Sequence, residues 1–195
     1  MSLSVQEQTA HAALRVRQGQ GARYDSDGAP AEALLLARRG AAYFARLLNE
    51  AAVEDLGMPS RRKGWTRKQV ALGVSYHARA LANALEGIKA EAKCASPPEL
   101  SLSDEDIIRG ISLPVRALRS LYYHTNVHLN VVWRELSDED WETLLVTPDS
   151  RSTSLQETPL IRAVILWQSA YDFSHKTRIK DIPPAIREYI KTWEK

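Results

Sequence analysis

The 195-residue chain contains one cysteine, Cys94. A lone thiol excludes an intrachain disulfide and fits a reducing compartment, so a cytoplasmic location is expected. No helix N-terminus or histidine adjoins Cys94 in sequence, and it reads as a passive thiol. Long apolar runs are also missing. The apolar stretches are amphipathic or too short to span a bilayer, and nothing resembles a signal peptide, so no membrane partner is expected. Neither sign of charge dominates: 26 lysines and arginines face 24 aspartates and glutamates, and a net charge of +2 gives no reason to expect nucleic acid. Strand signals are sparse and no internal period appears.

The chain's positive signals are helical. Hydrophobic residues at 44% and charged residues at 26% describe an ordinary globular protein, and the length suits one well-buried domain over residues 1–195. We divide it into an N-terminal extension (1–28), a bundle (29–173) and a C-terminal helix (174–195). The extension holds a weakly patterned helical stretch with His11, closed by the turn Asp25–Pro30. The first long helix runs to about Asn49, with Leu34, Ala37, Ala41, Phe44 and Leu48 on one face. The second starts at Gly64-Trp65-Thr66-Arg67 with Thr66 as N-cap and runs to about Glu91. Val70, Val74, Ala78, Leu81 and Leu85 face the core, while Arg67, Lys68 and Arg79 stay wet. A small capped piece ends near Gly110. The third long helix, from about Pro114 to Leu136, buries Leu118, Tyr122, Thr125, Leu129, Val132 and Leu136. Residues 148–157 are polar, loop-like and compatible with a hairpin, and should be among the more mobile parts. Thr158-Pro159 opens the fourth as a cap followed by proline. A final amphipathic helix carries Ile186, Tyr189, Ile190 and Trp193. These signals predict an all-α fold, an antiparallel four-helix bundle with short accessory helices.

Several residues depart from simple core or surface roles. Gly73 lies mid-helix, where glycine costs about 1 kcal/mol relative to alanine. His77 follows one turn later on the same side and admits three readings: a hydrogen-bonded pocket-lining group, a general acid or base, or part of a metal site with His128. His124 and His128 are spaced to share a groove, although a contact with a neighbouring loop is the plainer reading. His175 reads as surface. Arg61-Arg62-Lys63 reads as a solvated loop, with an anion site as the alternative. Tyr76, Trp65 and the other aromatics would pack the core, some lining any cavity. Arg162 suits either a carboxylate clamp or a salt bridge.

Leu36–Gly40, Gly64–Arg67, Tyr76–Leu81, His128-Leu129-Asn130 with Trp133-Arg134, and Thr158-Pro159 with Arg162-Ala163 together resemble the thiol-dependent (mycothiol-dependent) maleylpyruvate isomerase family, whose bundle is DinB-like. Members often carry a second, C-terminal domain, which is not expected within these 195 residues. The resemblance implies a divalent metal held by a histidine on the second long helix and by a glutamate and a histidine on the fourth. Those positions fall here on Gly73, Ile165 and Ser169, which offer at most a neutral hydroxyl. Asp172 matches an acidic position of the family.

The expected function is therefore a metal-independent enzyme isomerising, or rearranging by acid/base chemistry, an unsaturated carboxylated compound. His77 is the expected proton-transfer group, with Asp172 its catalytic partner. Arg162, Ser169, Gly73, Ile165, His128 and Tyr76 would line the substrate site. No cofactor is expected, although a low-molecular-weight thiol remains a candidate, and a homodimer is allowed. The competing reading is a non-catalytic binding or regulatory protein that keeps the pocket.

Overall fold

A computed structural model describes residues 25–90, 104–146 and 152–191; His11, Cys94, Trp193 and residues 148–151 of the polar stretch lie outside them. The long helices are α1 (Ala31–Glu50) and α2 (Arg67–Ala90), then, after a short α3 (Asp104–Gly110), α4 (Val115–Glu135). A single turn, α5 (Asp138–Trp141), leads to β1 (Leu144–Val146), which pairs antiparallel with β2 (Ser152–Ser154). The fourth long helix, α6 (Thr158–Phe173), precedes a one-turn α7 (Pro184–Arg187). No helix among the described residues is long and apolar enough to cross a membrane.

Side-chain pairings give each helix its direction. Trp167 Nε1 donates to the Leu36 carbonyl at 3.3 Å and Phe44 packs on Phe173, so α1 and α6 run the same way. Lys68 Nζ donates to the Leu113 carbonyl at 2.7 Å and His128 meets Glu86 at 2.7 Å, so α2 and α4 are parallel too. The two pairs oppose each other: Arg38 donates to Asn130 and Arg119 to the Leu48 carbonyl, tying α1 antiparallel to α4. The result is an antiparallel bundle with two helices each way, as the apolar stripes predict. Two consecutive parallel helices need a long connection, and in sequence residues 91–114 separate α2 from α4.

The predicted core faces are buried: Leu34, Ala37, Phe44 and Leu48 on α1, all five named residues on α2, and all six named for the third long helix. Ala41 alone is only partly buried. Gly40 sets the approach of α1 to α6, because a Cβ there would lie 3.0 Å from Trp167 Nε1 and 3.1 Å from Leu166 Cβ. Gly40→Ala is expected to destabilise the fold by about 1–3 kcal/mol through overpacking, read from urea unfolding midpoints.

Local chemistry explains the start of α2. Gly64 takes φ +78°, the left-handed region that favours glycine, and the turn folds Trp65 back so that Ser60 N donates to its carbonyl at 2.8 Å. Thr66 and Gln69 form a reciprocal capping box: Gln69 N donates to Thr66 Oγ1 and Thr66 N to Gln69 Oε1.

Other expectations need correction. Arg67 and Lys68 are half-buried rather than wet, Lys68 closing the end of α3 through the Ile111 and Leu113 carbonyls. The Thr158 hydroxyl does not cap α6 but donates to the Leu155 carbonyl at 2.8 Å. The last helix stops after one turn. Gln168 captures the chain beyond it, accepting from Lys191 N at 2.7 Å and donating to its carbonyl at 3.1 Å, and Tyr189 is left exposed.

Candidate functional site

Val70, Gly73, Val74 and His77 fall at i, i+3, i+4 and i+7 on α2, and Ile165, Ser169 and Asp172 at i, i+4 and i+7 on α6. Each set is one face of its helix. The helices are antiparallel here, with Arg162 NH1 donating to the Val74 carbonyl at 2.9 Å and Arg61 N to the Asp172 carbonyl at 2.8 Å. The two faces therefore meet, enclosing a pocket of about 290 Å³ that Ile107 of α3, Arg62, Trp65 and Tyr76 complete.

Six of the eight residues expected at the site line this pocket: Gly73, Tyr76, His77, Ile165, Ser169 and Asp172. The other two do not. His128 lies on a different face, half-exposed, with Nε2 2.7 Å from Glu86 Oε1, so the metal site imagined between it and His77 is not assembled. His124 is exposed, edge-on to Tyr123, and His175 is exposed as expected. Arg162 is 1% exposed and lies behind the pocket rather than in it, donating to the Val74 carbonyl, to Asn126 Oδ1 at 3.0 Å and to His77 Nδ1 at 3.3 Å. It cannot reach a substrate carboxylate while held this way.

His77 is 6% exposed, and burial, helped by the Arg162 charge, pushes its pKa down to about 3. Its imidazole is therefore neutral at physiological pH, the direction that burial of an ionisable ring dictates. Asp172 is buried at the other wall, with Oδ1 accepting from Gln168 Nε2 at 2.9 Å.

Arg62 is exposed, as a solvated basic run predicts, and its guanidinium lies 3.6 Å from the Trp65 ring centroid at the pocket. Sequence reasoning missed two contributors. Ile107 roofs the cavity from α3, and Asn126 reaches Arg162 from α4. No spacing signal points to either.

The three positions that the family resemblance assigns to metal ligands all reach this one pocket. Their chemistry does not fit a metal: glycine and isoleucine present no donor and serine only a neutral hydroxyl. A side chain at Gly73 would also crowd the indole, because a Cβ there would lie 3.3 Å from Trp65 Cζ3. Among the described residues no group of three histidine, cysteine, aspartate or glutamate side chains converges as a metal site would require.

The family model described as mycothiol maleylpyruvate isomerase N-terminal domain matches residues 37–167. A crystal structure of mycothiol-dependent maleylpyruvate isomerase is similar at 31% identity and a TM-score of 0.73. A histidine-to-alanine mutant of that enzyme is similar at 32% identity, also with a TM-score of 0.73. Both matches cover 80% of this chain and 65% of the other, so the chain spans just under two thirds of the solved proteins' length. No curated protein matches the chain.

Proposed function

This chain belongs to the mycothiol maleylpyruvate isomerase family, and from that premise we propose that its α2–α6 pocket isomerises a small unsaturated carboxylated molecule by proton transfer, without a metal ion. One observation carries the reading: a buried carboxylate, Asp172, and a neutral imidazole, His77, line the same cavity. A carboxylate base with a neutral hydrogen-bond donor is a pairing suited to moving a proton beside a carbonyl group. Asp172 takes a proton from the carbon next to the carbonyl while His77 supports the charge that develops on oxygen. The protonated Asp172 then returns the proton to the far end of the conjugated system. The double bond moves along the carbon chain, and no atom is gained or lost. Arg62, stacked on Trp65, replaces Arg162 as the candidate partner for a substrate carboxylate. We assign no step to a low-molecular-weight thiol, the co-substrate implied by the relatives' name.

A binding protein without turnover is the second reading, and the Trp65 indole packed over Gly73 favours it, because it fills part of the space that a reacting group would need. Native mass spectrometry should identify a co-purifying ligand, whose conversion is then followed. Asp172→Asn is expected to retain binding and slow turnover by about a hundred- to ten-thousand-fold, the range typical of general acid/base groups. Binding without any conversion by the wild-type protein would establish the second reading. Elemental analysis is expected to find no stoichiometric zinc, and one zinc per chain surviving dialysis would overturn the metal-free proposal.

A further inference from the structure

Arg162 is an expensive residue for its position. It is 1% exposed, its Nε has no hydrogen-bond partner, and no carboxylate pairs with it among the described residues. Burial lowers its pKa only to about 10, so the guanidinium stays charged at neutral pH. A buried unpaired cation costs more than an apolar side chain of similar volume, and such a break with the usual packing rules most often marks a site.

The guanidinium's partners suggest what that cost supports. NH2 donates to Asn126 Oδ1, and the Asn126 amide is itself oriented because Nδ2 donates to the Tyr122 carbonyl at 2.8 Å. NH1 donates to the Val74 carbonyl at 2.9 Å, one turn before His77, and meets His77 Nδ1 at 3.3 Å. The fork is thus aimed from α4 and α2 together at a single ring nitrogen. Arginine can only donate, so the nitrogen that it meets must carry a lone pair.

We infer that Arg162 is a positioning residue that holds His77 as the Nε2–H tautomer, making the pocket's imidazole a hydrogen-bond donor that reads an acceptor atom on the ligand. Protonating Nδ1 would break the Arg162 contact and set two cations side by side. Other charged or titratable groups around the ring do not reverse this. Asp172, Arg62 and Tyr76 line the same pocket and Tyr122 lies behind Arg162 on α4, while the charge acting on His77 is that of Arg162. The inference deepens the pocket reading and rests on it for its meaning to function, but it can be tested on the ring directly.

The test is long-range 1H–15N correlation spectroscopy of histidine-labelled protein, with the His77 signals assigned by their loss in His77→Gln. The wild-type ring is expected to show a protonated Nε2 and an unprotonated Nδ1, unchanged from about pH 8 to about pH 5, the window in which an ordinary histidine titrates. Arg162→Lys keeps a donor and should preserve the tautomer. Arg162→Met removes it and should yield mixed tautomers with a ring that protonates at higher pH. A wild-type ring protonated on Nδ1, or titrating near neutrality, would overturn the inference, as would an unchanged spectrum in a folded Arg162→Met protein. If that variant does not fold, the wild-type and Arg162→Lys spectra still decide. A ligand that is bound but never converted would defeat the enzymatic proposal and leave this result standing.

Discussion

Below about pH 6.5 the protein is expected to lose stability at about 1.4 kcal/mol per pH unit through His77 alone, the slope for one proton bound only by the unfolded chain. The sign follows from the direction of the shift. Burial and the Arg162 charge lower the folded-state pKa to about 3 from an ordinary 6.5. Between those values the unfolded chain takes up a proton that the folded one refuses. The contribution is fully present above the unfolded pKa and is lost as pH falls toward the folded one. Urea unfolding at intervals from about pH 7 to about pH 4 checks it against His77→Gln, whose amide oxygen can still accept from Arg162. The variant should lose this component while keeping the acid sensitivity of groups such as Asp181, whose pKa is lowered by hydrogen bonds from Arg178. Identical pH slopes in the two proteins would mean that His77 takes up its proton in the folded state. It would then be a candidate acid or base after all.

How much of this could be read from the sequence depends on the physical signal behind each residue. The helices were legible because burying one stripe imposes a 3.6-residue period, and Val70 through Leu85 keep it without a break. Which helix touches which was not, since four apolar stripes of similar character do not name their partners. The pocket was partly legible: Gly73, Ile165 and Ser169 were placed by resemblance alone, and the fold brings them to one cavity. Arg162 was misplaced because arginine is ordinarily a surface residue, and nothing nearby announces burial. Its partners Val74, His77 and Asn126 come from two other helices. Nothing in the basic run announces the Trp65 ring beside Arg62, and Glu86, the partner of His128, lies 42 residues away. Long-range pairing has no periodicity to read.

Supplying the missing donors should give this pocket a metal, the largest change in binding that we expect. The variant combining Gly73→His, Ile165→Glu and Ser169→His places two imidazoles and a carboxylate on the facing walls of α2 and α6, a donor set that suits a catalytic zinc site with an open position. Trp65 stands in the way, because its ring edge lies 3.3 Å from where a Cβ on Gly73 would sit. The triple variant alone should therefore bind zinc weakly. Adding Trp65→Ala should open room for the new imidazole and tighten the dissociation constant to about 1 µM or below, equivalent to roughly 8 kcal/mol of binding. Calorimetric titration and elemental analysis read both steps, and circular dichroism confirms that the bundle survives. The ordering matters more than the absolute value: if the indole displaces the metal-binding group, relief at Trp65 must improve affinity in the triple variant and do nothing in the wild-type background. A folded quadruple variant that takes up no zinc would show that the three positions do not converge as metal ligands. The resemblance-based assignment of Gly73, Ile165 and Ser169 would then fail, whatever chemistry the pocket performs.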